Sequence, residues 1–157
     1  MDKRRAPADA EVIVPVPDSG VPAALGYAEE SNIPFQLGII RNHYVGRTFI
    51  EPTQVDRQTS VAKKHAPNKF VLNGKRVVLV DDSIVRGNTS KKIVSMVREA
   101  GAKEIHFRSA SPMIKFPDYY GIDIPSEREL LAANHSLEAL RGALDAESPN
   151  PPPEARP

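Results

Sequence analysis

The 157-residue chain contains no cysteine. Disulfide frameworks, thiolate zinc sites, cysteine-ligated iron-sulfur clusters and cysteine nucleophiles are therefore excluded by composition alone. It also has no uninterrupted apolar run near the roughly 18 residues that a membrane span needs, and Met1 to Ala10 is charged where a secretory leader is apolar. These absences lead to the expectation of a cytoplasmic protein that does not engage membranes. Excess charge of one sign is missing too: 21 Lys and Arg stand against 20 Asp and Glu, a net charge of +1. No bulk field favours nucleic acid, so any anion site has to be built locally. What is present, 40% hydrophobic and 26% charged residues, is ordinary for a globular protein, and the length suits one core.

Composition divides the chain. Residues 1–11 are polar and are expected to be a flexible N-terminus, residues 12–147 form the domain, and residues 148–157, with Pro151, Pro152 and Pro153 in succession, read as a disordered proline-rich tail. Glu11 to Val16 is a compact β-branched run that ends in Pro17-Asp-Ser-Gly20, and a helix-compatible stretch runs from Val21 to Glu30. Phe35 to Ile40 reads as a second strand, entered through Pro34. Lys75 to Val80 is the clearest buried strand, because Val77-Val-Leu-Val80 leaves no polar face for water, and it is expected at the centre of the sheet. From Ser90, Ile93, Met96, Val97 and Ala100 recur at helical spacing, and Gly101 stands where a helix ends in a left-handed residue. Ala102 to Ser109 gives another strand, and Leu130 to Leu144 reads as a closing amphipathic helix. Strands alternating with helices imply an α/β fold with a mostly parallel sheet flanked by helices.

Ligands of open α/β sheets bind beyond the carboxyl ends of the strands, so the residues after Val16 and Val80 come first. After Val80 the chain reads Asp81-Asp-Ser-Ile-Val-Arg-Gly-Asn-Thr89 before a helix begins. Paired acids at a strand end can hold a hard cation or accept hydrogen bonds from sugar hydroxyls. Gly87 permits a tight turn, and Asn88, Thr89 and Ser90 add side-chain donors to the free N–H groups of a helix start, which together form a phosphate cradle. A lone Asp pair is more often a solvated, helix-capping turn; the succession of buried strand, acids, glycine turn and hydroxyl-rich helix start favours a ribose-phosphate site. Asp18, Ser19 and Gly20 alone would be a turn, but their position after the first strand favours function.

The long polar stretch from Asn42 to Asn73 is expected to be a mobile lid with some short structure inside. Between Arg41 and His65 its charges are Arg41, Arg47, Arg57, Lys63 and Lys64 against Glu51 and Asp56, so a basic flap could close over a polyanion. Arg57, Lys63 and Lys64 are better read as solvated surface. His43 and His65 lack metal-ligand spacing and read as surface residues, and His106, inside a strand, reads as structural.

Val77 to Thr89 resembles the phosphoribosyl pyrophosphate (PRPP) signature of type I phosphoribosyltransferases, in the wording of the amidophosphoribosyltransferase family. Pro15 to Ala28, Arg41 to Pro52 and Tyr120 to Pro125 are similar to that family in the same order, so the resemblance runs from about Val12 to about Glu147. It implies the type I phosphoribosyltransferase fold with a flexible lid loop, and transfer of ammonia to PRPP to give 5-phosphoribosylamine and pyrophosphate. It implies that Asp81 and Asp82 engage the ribose hydroxyls and, with Ser19, the magnesium region. Ser83, Ile84, Val85, Arg86, Gly87, Asn88 and Thr89 would wrap the 5-phosphate, Asp18, Ser19 and Gly20 would form the pyrophosphate loop, and Arg41, Tyr44 and Arg47 would belong to the loop that closes over PRPP. Magnesium is the implied cofactor.

Measured against that family, the chain reads as a partial domain. The glutaminase part with its cysteine nucleophile, and the helix and strand before the pyrophosphate loop, are not in it, so ammonia would come from a separate glutaminase domain or subunit. Asp118 and Tyr119 stand near the position of the iron-sulfur cysteine of some members, so no cluster is expected. The full enzyme is expected to be a homo-oligomer, with no nucleic-acid or membrane partner. Two other readings stay open at this point: a PRPP-binding regulatory module without catalysis, and an inactive truncated fragment.

Overall fold

A computed structural model describes residues 9–42, 64–117, 128, 130–135 and 139. Within these residues the chain forms β1 (Val12–Pro15), α1 (Val21–Ser31), β2 (Ile39–Arg41), β3 (His65–Pro67), α2 (Lys69–Leu72), β4 (Arg76–Asp81), α3 (Asn88–Glu99), β5 (Glu104–Ser109) and α4 (Leu131–Asn134). Residues 1–8 of the expected N-terminal segment, most of the expected lid, Tyr120 to Pro125 and residues 148–157 lie outside the described residues.

The main sheet has the order β1-β4-β5 and both its pairings are parallel. β4 is its central strand, as the unbroken apolar run requires: a strand covered on both faces has no use for alternating polarity. Alternate residues serve opposite layers. Ile13, Val78 and Val80 pack with Ala24 of α1 on one face. Val12, Val14, Val77 and Leu79 pack on the other with Ile93, Val94 and Val97 of α3, and Ile105 and Phe107 of β5 extend that layer. On the opposite face of β5, buried His106 lies with Nε2 2.7 Å from Glu104 Oε1, two residues away on the same strand, in keeping with a structural role.

The helices begin and end for local reasons. α1 has Pro in its first turn and closes on Asn32 in the left-handed region (φ 57°), with the Ser31 hydroxyl donating to the Tyr27 carbonyl. α3 begins two residues earlier than Ser90, at Asn88, and ends at Glu99, with the expected left-handed Gly101 (φ 98°) just beyond it.

Two expected elements are corrected. Phe35 to Ile40 is not one strand: only Phe35 bridges to Ile13, flanked by Ile13 N–H donating to Pro34 O and Gln36 N–H to Ile13 O. The Gly38 N–H then turns back onto Gln36 O at 2.9 Å, and the chain leaves the sheet to form β2, which pairs antiparallel with β3 in a separate ladder. Leu130 to Leu144 is not one continuous helix. α4 stops at Asn134, whose side-chain amide donates to the carbonyls of Leu130 and Arg128, and His135 is extended (φ −133°, ψ 140°). Asn side chains that bond local carbonyls compete with helix propagation.

Leu79, fully buried in the central strand, tests this core. Leu79→Ala is expected to cost about 2–5 kcal/mol, read as a lower midpoint in urea unfolding followed by circular dichroism.

Candidate functional site

The acidic pair straddles the end of β4. Asp81 is still in the ladder, opposite Ser109, and its side chain is buried, with 6% exposure. Asp82 is the first residue outside the strand and is exposed. Burial raises the Asp81 carboxyl from the ordinary 3.8 to about 7. The Asp82 N–H, donated to Asp81 Oδ1 at 2.9 Å, works against that rise, and the Asp82 carboxylate adds to it. The Ser83 N–H donates to Asp82 Oδ1 at 2.7 Å and orients the exposed carboxylate. Ala110 and Ser111 donate their N–H groups to the carbonyls of Asp81 and Asp82, so the backbone under both acids is held after β5 formally ends.

The loop after β1 is brought alongside by close backbone approach. Val16 N–H donates to Val80 O at 2.8 Å, and Gly20 N–H returns to Val16 O at 2.9 Å. A Cβ on Gly20 would stand 2.3 Å from Val80 O and 2.8 Å from Val16 O, so no other residue fits without moving backbone. Gly20 is buried, whereas Asp18 and Ser19 are lifted into solvent; the Pro17–Asp18 peptide is cis. Arg41, at the end of β2, reaches this loop, with Nη1 2.5 Å from Asp18 Oδ2. Tyr44 and Arg47, the other residues expected in the loop over the site, lie outside the described residues.

The turn from Ser83 to Gly87 leads into α3. Gly87 has φ 74°, in the left-handed region, and its carbonyl accepts the Lys91 N–H as the first bond of the helix. Arg86, Asn88 and Thr89 are exposed at this helix start, and Ser83, Ile84 and Val85 are half-buried. Ser90, expected among the cradle donors, is buried at 4% exposure and turned from the surface that a ligand would reach. The helix phase decides this, because Ser90 shares the inward face with Ile93, Val94 and Val97.

The role of α4 was not legible from local pattern. Leu131 N–H donates to Val85 O at 2.9 Å, and a Cβ on Gly87 would meet Leu131 Cδ2 at 2.5 Å. The turn is thereby clamped from outside by a residue more than forty positions later in the chain. The apolar pair Leu130-Leu131 was the available signal. Beside this clamp a cleft of about 310 Å³ opens, with Arg86, Asn88 and Lys91 on one wall and Arg128 and His135 on the other. It touches the predicted site through Arg86 and Asn88 and does not include Asp82 or Ser19.

Among the described residues, no group of three or more His, Cys, Asp or Glu side chains could hold a metal ion. Magnesium ordinarily takes one or two carboxylates and completes its shell with water and phosphate oxygens. Asp82, exposed and oriented by Ser83, with Asp81 beside it, is a donor set of that kind. The residues fit magnesium arriving with a polyphosphate, and not an all-protein cage.

A parallel sheet whose central strand ends in an acidic pair, a left-handed glycine turn and a helix start is the layout of a sugar-phosphate transferase domain. The chain belongs to the phosphoribosyl transferase domain family, whose model matches residues 2–110. Among its relatives, it is 63% identical over 146 residues to an amidophosphoribosyltransferase of Rhizobium etli, covering 92% of this chain and 29% of that one. It is 56% identical over 142 residues to one of Methanocaldococcus jannaschii, covering 90% of this chain and 30% of that one. The structure of glutamine PRPP amidotransferase from B. subtilis, complexed with ADP and GMP, superposes with a TM-score of 0.82 at 49% identity, over 93% of this chain and 32% of that one. The fold is that of type I phosphoribosyltransferases, and the chain spans under a third of the length of these relatives. No helix among the described residues is long and apolar enough to cross a membrane.

Two predictions test this geometry. Gly87→Ala forces a side chain into the left-handed region and against Leu131, and is expected to destabilise by about 1–2 kcal/mol from the backbone alone. Adding Leu131→Ala relieves the contact but not the backbone strain, so a double-mutant cycle on thermal midpoints should show coupling. For Asp81, the folded protein binds more protons than the unfolded chain between about pH 4 and pH 7, so this group makes stability fall as pH rises through that window. Asp81→Asn is expected to remove that decline in a series of thermal melts from pH 4 to pH 7.

Proposed function

We propose that this chain is the PRPP site of an amidophosphoribosyltransferase, in which ammonia displaces pyrophosphate from PRPP to give 5-phosphoribosylamine, the opening step of purine nucleotide biosynthesis. The observation that carries the reading is the succession at the carboxyl end of β4: an exposed, oriented Asp82 followed by a left-handed glycine turn and the start of a twelve-residue helix.

In this reading the side chains from Ser83 to Thr89 and the backbone N–H groups after Ser83 bind the 5-phosphate, with the positive end of α3 directed at it. Asp82 and Asp81 receive the ribose hydroxyls, which orients the anomeric carbon toward the attacking nitrogen. Asp82, Asp81 and Ser19 are the residues that would hold magnesium, and the ion, when bound, neutralises charge on the departing pyrophosphate. Ser19 and Gly20 present the loop that receives pyrophosphate, and Arg41, with Tyr44 and Arg47, covers it. Positive charge develops on the ribose as the carbon-oxygen bond breaks, and the cationic donors serve the opposite pole, the leaving group. No protein nucleophile enters the reaction: nitrogen donates its electron pair to the anomeric carbon, the pyrophosphate oxygen leaves with the bonding pair, and the ammonium nitrogen loses a proton.

PRPP with magnesium at about a hundredfold excess over its Kd is expected to stabilise the chain by about 2.7 kcal/mol, read as a rise in thermal midpoint. Pyrophosphate release should require added ammonia, and Asp82→Asn should reduce it about 10- to 100-fold. Stabilisation without release supports a binding module instead. Equal PRPP affinity in an Asp81→Ala, Asp82→Ala double variant rules out the site.

A further inference from the structure

Asp18 and Arg41 lie on different elements, 23 residues apart, and their side chains meet with Nη1 2.5 Å from Oδ2. Both are well exposed, with side-chain exposures of 56% for Asp18 and 42% for Arg41. Arg41 ends β2, which is paired with β3 outside the main sheet, whereas Asp18 follows β1 in the loop packed onto the end of β4. The ion pair therefore joins the small ladder to the site loop. A guanidinium presents the same fork of donors to a carboxylate and to a phosphate.

We infer that Asp18 is a positioning residue that holds Arg41 over the loop until a pyrophosphate group takes the guanidinium from it. The inference rests on the reading above, in which this loop receives pyrophosphate. It changes the part assigned to Asp18 from ligand contact to a stand-in for the ligand's charge. Energetics permit the exchange. An exposed pair of this kind biases an equilibrium by about fivefold at most, enough to orient the side chain and little enough for a multiply charged anion to displace it.

The test is calorimetric titration of magnesium pyrophosphate into the 157-residue chain as wild type, Asp18→Asn, Arg41→Gln and the double variant. Both side chains are exposed, so matching thermal midpoints are expected to show intact folds in all four. Asp18→Asn should tighten binding about two- to fivefold by freeing Arg41, Arg41→Gln should weaken it, and Asp18→Asn should change nothing once Arg41 is gone. Weaker binding in Asp18→Asn overturns the inference, because Asp18 then contacts the ligand or its metal. An equal gain in the Arg41→Gln background overturns it too, because Asp18 then only repels anions. Binding in none of the four removes the pyrophosphate site of the preceding section and this inference with it, whereas binding without coupling removes the inference alone.

Discussion

The carbonyl of Val80 is the point on which the site depends. It accepts the Val16 N–H one step beyond the last paired residue of β1, and the bare Cα of Gly20 rests against it. One backbone oxygen thus sets the spacing between the loop after β1 and the acids after β4. Two parallel strands diverge freely once their ladder ends; here backbone hydrogen bonds continue into the loops that carry the exposed side chains of Asp18, Ser19 and Asp82. The cost is a residue without a side chain at position 20, since a methyl group there would collide with two carbonyls.

Adjacent acids on this framework live in different dielectric surroundings. Asp81 remains in the sheet and is buried, so its carboxyl is raised to about 7, whereas Asp82 is in water with its carboxylate held by Ser83. A single step along the strand makes the difference, because successive residues point to opposite faces and the strand ends between them. The result is one exposed carboxyl group at the surface and, beside it, a buried one raised to about 7.

The far side of the turn shows how little of a binding loop is local. Gly87 must be left-handed for the chain to pass from Arg86 into α3, and that conformation is secured by Leu131 against its Cα and by the Leu131 N–H on Val85 O. The turn and its clamp belong to segments separated by β5 and the chain after it. A turn with few hydrogen bonds of its own needs such external support.

Periodicity determined the elements that face a core. Val12 to Val16, Val77 to Val80 and the Ile93 and Val97 face of α3 could be read directly, since burial of an apolar run depends on the run itself, and the succession Asp81, Asp82, Gly87 marked the candidate site because those residue types follow one another directly in the chain. Tertiary structure alone decided where the pattern was broken by partners elsewhere in the chain. Phe35 joins β1 for one bridge before the turn at Gly38 carries β2 away, α4 ends where the Asn134 amide takes the Leu130 and Arg128 carbonyls, and Ser90 turns inward with its helix. Asp18 and Arg41 were each marked in sequence but not as a pair, because an ion pair across 23 residues is a property of the path between them, which only the packed sheet and the β2–β3 ladder define.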